Sequence, residues 1–111
     1  MTLFEKIISR QIPADIVFED DHVVAFRDIH PQAPVHILIV PRVAVSSVDA
    51  LKPEHEAMVG HMVLVARDIA AKENLSKGYR LVLNCGRHGL QSVDHIHLHL
   101  LGGRMMQWPP G

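Results

Sequence analysis

The stretch that most constrains this chain is His95-Ile96-His97-Leu98-His99-Leu100-Leu101. Polar and apolar residues alternate along it, the period of a β-strand with one face on a core. The pattern predicts a strand that turns His95, His97 and His99 toward solvent, with alternate residues roughly 6.5–7 Å apart. Ile96, Leu98 and Leu100 fall on the opposite, core-facing side. Imidazole changes charge near neutral pH and can serve as nucleophile, acid, base or metal ligand, so three in a row concentrate chemistry in one place.

The rest of the chain reads as α+β, with an antiparallel sheet of about five strands and one long and one short helix covering a face. Residues 3–10 carry apolar side chains at helical spacing, with Thr2 as N-cap and Glu5 three positions on. Pro13 ends that helix. Strands are predicted at 16–19, 22–28, 35–40, 79–84 and 95–101, and the 35–40 run is apolar on both faces except for His36. A long helix is expected from Pro53 to about Glu73, with Gly78 closing the region. Met58, Met62, Val65 and Ile69 form one apolar row on it, and Val59, Val63, Ala66 and Ala70 form another. A stripe that wide suits packing on the sheet and on a second copy of the chain. Between the last two strands lies a long connection over 85–94, and long loops in small domains are often functional.

With 111 residues, the sequence is expected to form one domain spanning 1–111. A net charge of -1 offers no basic footprint for nucleic acid and no polybasic membrane patch. Cys85 is the single cysteine, so no intrachain disulfide asks for an oxidising compartment. No run reaches the length of a membrane span, and a cytoplasmic location is expected. No carboxylate cluster calls for magnesium, so neither cofactor nor metal requirement is expected.

Four readings of the histidine row stay open on residue chemistry alone. The row can line a wet edge strand, or it can hold zinc, with His36 as a third ligand. It can carry nucleophilic catalysis on phosphorus through a P–N intermediate, assisted by Asn84, Ser92 and the 86–91 loop. The same pocket can also bind nucleotides without turning them over.

The full His-φ-His-φ-His-φ-φ pattern at 95–101 resembles the signature of the histidine-triad (HIT) superfamily. Phe4-Glu5-Lys6-Ile7-Ile8, Phe26-Arg27-Asp28-Ile29, Pro31-Gln32-Ala33-Pro34, Gln91-Ser92-Val93, Leu101-Gly102-Gly103-Arg104 and Trp108-Pro109-Pro110-Gly111 extend the likeness to its Hint branch, the purine nucleoside phosphoramidases. The resemblance implies a HIT-like fold with sheets joined across a homodimer. It implies hydrolysis of the P–N bond of purine nucleoside 5′-phosphoramidates through a nucleotidyl-histidine. Alternatives are hydrolysis of dinucleoside polyphosphates or other adenylate anhydrides, or a nucleotide-binding regulator with incidental turnover.

By the same resemblance His97 is the nucleophile and His99 contacts the phosphate, while His95 and His36 set the nucleophile's tautomer, a task a nearby backbone carbonyl can share. Ser92 assists the departing amine. Asn84 and the backbone of Leu90 and Gln91 hold phosphate oxygens. Asp28 accepts from the ribose hydroxyls of AMP or GMP, and Ile29 lines the pocket. Phe4, Ile7 and Phe26 sandwich the purine, for which plain core is the alternative. Trp108, in a tail over 102–111, reaches the partner subunit. Two departures stand out, since the family commonly has glycine where this chain has Leu90 and tyrosine where it has Asp94. Leucine is strained at 90 if that position needs positive φ, and an acid at 94 raises the pKa of any histidine it approaches.

Overall fold

The computed structural model describes residues 1–111. Its elements are α1 (Leu3–Ile8), β1 (Ile16–Glu19), β2 (Val23–Arg27), β3 (Val35–Pro41), α2 (Glu56–Lys72), β4 (Tyr79–Val82) and β5 (Leu98–Gly102). Short 3-10 turns at Val48–Ala50 and Pro53–His55 lead into α2. The strands form one antiparallel sheet in the order β1-β2-β3-β5-β4.

Helix α1 starts with the expected capping box. The Glu5 amide donates to the Thr2 hydroxyl at 3.2 Å, and the Thr2 amide donates to the Glu5 carboxylate at 3.0 Å. A helix this short does not persist alone, so burial of Phe4 and Ile7 must hold it in place. Helix α2 ends at Lys72, within a residue of the expected end, and Asn74, not Gly78, closes it. Asn74 takes φ 60°, and the Leu75 and Asn74 amides donate back to Ala70 and Ala71 at 3.0 and 3.2 Å, the double closure of a Schellman motif.

The central strand, β3, explains the layering. Ile37 and Ile39 point to a core built with Val23, Ala25, Leu98, Leu100 and the α2 residues Met62, Val65, Ala66, Ile69 and Ala70. Leu38 and Val40 point the other way, to Phe4, Ile7, Val24 and Phe26. The two helices therefore cover opposite faces, not one face as the sequence reading had it. Because β3 is apolar in both parities, each face needs its own cover. No helix is long and apolar enough to cross a membrane.

The histidine strand is also corrected. Its ladder begins only at Leu98, where Leu98, Leu100 and Gly102 pair with Ile39, Ile37 and Val35. Residues 95–97 run ahead of it, tied by the Ile96 amide to the Val45 carbonyl at 2.7 Å. His95 and His97 are 1% and 3% exposed. The expected solvent-facing row is thus largely buried, because α1 packs over the histidine face.

Candidate active site

Register brings the fourth histidine to the row. His99 pairs with Leu38, and His36 lies on the same face of β3 two residues before Leu38. His36 Nε2 and His99 Nδ1 meet at 2.9 Å, with Asp28 Oδ2 3.5 Å from His36 Nε2. The Asp28 amide donates to the His36 carbonyl at 2.9 Å, so β2 delivers the carboxylate to this corner. Asp28 Oδ1 accepts from the His30 amide at 2.8 Å, which fixes the carboxylate's orientation.

Hydrogen-bond partners determine where each imidazole carries its proton. The Gln32 amide donates to His36 Nδ1 at 3.0 Å, so a neutral His36 is protonated on Nε2 and donates to His99 Nδ1. His99 is then left with its own hydrogen on Nε2. His97 Nδ1 lies 2.8 Å from the His95 carbonyl, which only accepts, so that nitrogen is protonated and Nε2 keeps its lone pair. His95 Nε2 donates to the Pro41 carbonyl at 2.7 Å. The tautomer of His97 is therefore set by the His95 carbonyl. The imidazoles of His95 and His36, expected to share that task, bond elsewhere.

Burial disfavours the charged form of His36, His97 and His99. It pushes the His36 imidazole below its ordinary value, partly opposed by the Asp28 carboxylate. His97 is likewise lowered by burial first, with its bond to the His95 carbonyl working the other way. His99 falls to about 4, through burial and then the neighbouring imidazoles of His97 and His36. Phe4 packs edge-on against His97, with ring centroids 4.8 Å apart. Phe4, Ile7 and Phe26 are 4%, 7% and 3% exposed, so they offer a ligand only a sliver of surface, while Ile29 is 82% exposed beside Asp28.

The 85–94 loop closes on itself. Asn84 Nδ2 donates to the Gly89 carbonyl at 2.7 Å. Gln91 accepts from the Gly86 amide at 3.2 Å and donates to the Ser46 and Val93 carbonyls at 2.6 and 3.0 Å. A side chain at Gly89 would sit 2.4 Å from the Cys85 carbonyl oxygen, so the turn admits only glycine there. The Leu90 and Gln91 amides donate to the Arg87 and Gly86 carbonyls at 3.1 and 3.0 Å. They are committed within the loop, contrary to their expected role as phosphate donors. The exposed Ser92 and the remaining Asn84 amide hydrogen are side-chain donors still free at this edge. Leu90 stands at φ 59° and is 82% exposed, so position 90 does need the left-handed conformation and leucine adopts it at a steric cost. Asp94 is exposed and does not contribute to the histidine shifts. Trp108 is 83% exposed, and its segment is held by Arg80, which donates to the Gln107 carbonyl at 2.7 Å.

Asp28, His36 and His99 also bring ligand atoms within 4.8 Å of one another. One carboxylate oxygen and two imidazole nitrogens suit zinc, which would supply a Lewis-acidic centre there. Binding it would displace the hydrogen bond between His36 and His99.

The residues that set this geometry beyond the side chains read from sequence are the Gln32 amide and the carbonyls of His95 and Pro41. Nearly every residue type can supply these groups, proline alone lacking the amide hydrogen, so no sequence signal marks them.

Residues 1–108 match the family model described as "Scavenger mRNA decapping enzyme C-term binding". The chain is 53% identical over 112 residues to the "14 kDa zinc-binding protein" of Zea mays, covering 99% of this chain and 88% of that one. It is 50% identical over 112 residues to "Adenylylsulfatase HINT1" of Arabidopsis thaliana, covering 99% and 76%. A solved HIT family hydrolase from Legionella pneumophila superposes with a TM-score of 0.98 at 46% identity, covering 100% of both chains.

Proposed function

The chain belongs to the histidine-triad family, in its Hint branch, and on that premise we propose that it is a nucleotide-binding hydrolase that cleaves the P–N bond of purine nucleoside 5′-phosphoramidates. One observation carries the reading: His97 is buried, neutral and protonated on Nδ1, so its Nε2 lone pair is available as a nucleophile.

In the first step Nε2 of His97 attacks the α-phosphorus and forms a P–N bond. The bond to the leaving amine breaks, and its electron pair goes to the amine nitrogen. That nitrogen takes a proton drawn from solvent through the Ser92 hydroxyl. The imidazole gains positive charge, which the His95 carbonyl stabilises through the Nδ1 hydrogen. In the second step water attacks phosphorus, the P–Nε2 bond breaks, and nucleoside monophosphate leaves with release of a proton. His99 Nε2–H, Ser92 and Asn84 donate to the phosphoryl oxygens, each worth about 2.7–4 kcal/mol by analogy with oxyanion-hole deletions. Asp28 receives the ribose hydroxyls, and Ile29 gives the base its exposed apolar contact.

Adenylate anhydrides are a second reading, favoured by the Arabidopsis relative whose name is adenylylsulfatase. The attack is the same and only the leaving group differs. Steady-state hydrolysis of an AMP–amine conjugate and of an adenylate anhydride, compared with His97→Ala, tests both. The wild type should turn over the amide faster, with the variant reduced by at least about a thousandfold. Equal low rates for both proteins would leave a nucleotide binder and remove the catalytic claim.

We also propose that the active form is a homodimer. The edge strand β4 has no partner on its outer side, and the exposed Val63, Leu64, Tyr79, Leu83 and Trp108 supply apolar surface.

A further inference from the structure

The loop over 29–34 carries the Gln32 amide that sets the His36 tautomer, yet no backbone–backbone hydrogen bond starts or ends within it. Pro31 and Pro34 have no N–H to give. Side chains make its ties instead. The His30 amide donates to Asp28 at 2.8 Å, and Gln32 Nε2 donates back to the His30 carbonyl at 3.0 Å. Of the hydrogen bonds that join this loop to the rest of the chain, those to Asp28 and His36 belong to the site itself. The others come from one residue. Arg104 donates from Nε and Nη2 to the Gln32 carbonyl at 3.2 and 3.0 Å.

The end of β5 brings Arg104 there. Gly102 pairs with Val35, and Gly103, at φ 91°, turns the chain against Pro34. A Cβ at Gly103 would lie 2.9 Å from Pro34 Cβ, so a side chain would push this turn off the loop. Arg104 Nη1 donates to the Met105 carbonyl at 3.2 Å, which steadies the planar guanidinium.

From Gln32 a hydrogen-bonded line runs to the reacting centre. The Gln32 amide donates to His36 Nδ1 at 3.0 Å, and His36 Nε2–H donates to His99 Nδ1 at 2.9 Å. His99 Nε2–H is the donor assigned above to the phosphoryl group. Without the Gln32 bond, His36 can carry its hydrogen on Nδ1 and accept at Nε2. His99 then holds its hydrogen on Nδ1, and a lone pair meets the phosphoryl oxygens in place of a donor. Asp28 Oδ2 biases His36 the same way as Gln32 but stands 3.5 Å from Nε2, too far for a good hydrogen bond.

We propose that Arg104 is a positioning residue for the histidine site: by holding the Gln32 carbonyl it keeps the Gln32 amide on His36, and so keeps His99 a donor toward phosphate. Its effect on turnover rests on the phosphoramidase reading above; its effect on the tautomers does not.

The test reads the imidazole nitrogen shifts of the full chain, free of substrate and in chelator, by long-range proton–nitrogen correlation. In the wild type His36 and His99 should both be protonated on Nε2. In Arg104→Met, which keeps the stem and removes the donors, both should move toward the Nδ1–H form. His97 should stay protonated on Nδ1, because the His95 carbonyl sets it. For the AMP–amine conjugate kcat/KM should fall at least about tenfold, borne by kcat, a part of the loss of about 10²–10³ that follows outright removal of an oxyanion donor. Arg104→Lys can still donate to the carbonyl and should recover part of both effects. Unchanged His36 and His99 tautomers in Arg104→Met would overturn the proposal. So would changes that reach His97 equally, or changed tautomers with kcat/KM at the wild-type level. A wild type without turnover would strike the phosphoramidase reading instead and leave the tautomers to decide the role of Arg104.

Discussion

His97 owes its readiness to a single backbone acceptor, the His95 carbonyl, and its neutrality to the layer of α1 above it. Activity should therefore fall in acid with an apparent pKa below the ordinary imidazole value, and stay flat above it; a pH profile of kcat/KM reads this directly. Asp28 opposes the effect of burial at His36, His97 and His99, so Asp28→Asn should move the limb further toward acid. For stability the sign is the same. His36, His97 and His99 bind fewer protons folded than unfolded, so stability should decline as pH drops from 6.5 toward about 4, where His99 protonates. Added zinc should inhibit by capturing Asp28, His36 and His99, with activity restored by a chelator. At Leu90 the strain is local and the side chain exposed, so Leu90→Gly should raise the thermal midpoint by about 4 °C, the scale of 1 kcal/mol in a domain this small. These residues were legible to different degrees. The row follows from spelling and spacing, whereas the positive φ at 90 is suggested only by the resemblance, which puts glycine there. The proton positions follow from neither, because the Gln32 amide and the His95 and Pro41 carbonyls carry no side-chain signature.

At the level of elements, the sheet fixes the site and the helices protect it. The hairpin of β1 and β2 is joined to α2 by His61, whose Nε2 meets Asp20 Oδ2 at 2.6 Å. Burial raises the Asp20 pKa, but the His22 and Val23 amides and His61 outweigh it and hold the carboxyl at about 2. His61→Ala should lower the thermal midpoint by a few degrees, as expected for loss of about 1 kcal/mol, with kcat/KM nearly unchanged because the pair lies outside the histidine site. The five strands were readable from period-2 patterns, the apolar 35–40 run and turn residues, although the histidine strand begins only at Leu98. Which helix covers which face was not, since β3 presents apolar residues in both parities and either side accepts a cover. The end of α2 was readable to within a residue, but what closes it was not: Asn74, ahead of Gly78, takes the left-handed conformation.

For the molecule as a whole, the buried His97 is built within one chain, and the dimer proposed above would bring a second chain beside it. Sedimentation at micromolar concentration should give a dimer, and a monomer there would remove the role proposed for Trp108 beside a partner's site. The central claim is narrower: His97 Nε2 forms a bond to phosphorus. The most direct measurement is mass analysis of protein quenched in acid-free denaturant during turnover of an AMP–amine conjugate. A nucleotidyl group on the peptide carrying His97, absent from His97→Ala, is the expected result. Turnover at the wild-type rate with no such group on that peptide, or a group that persists in the variant, would contradict it.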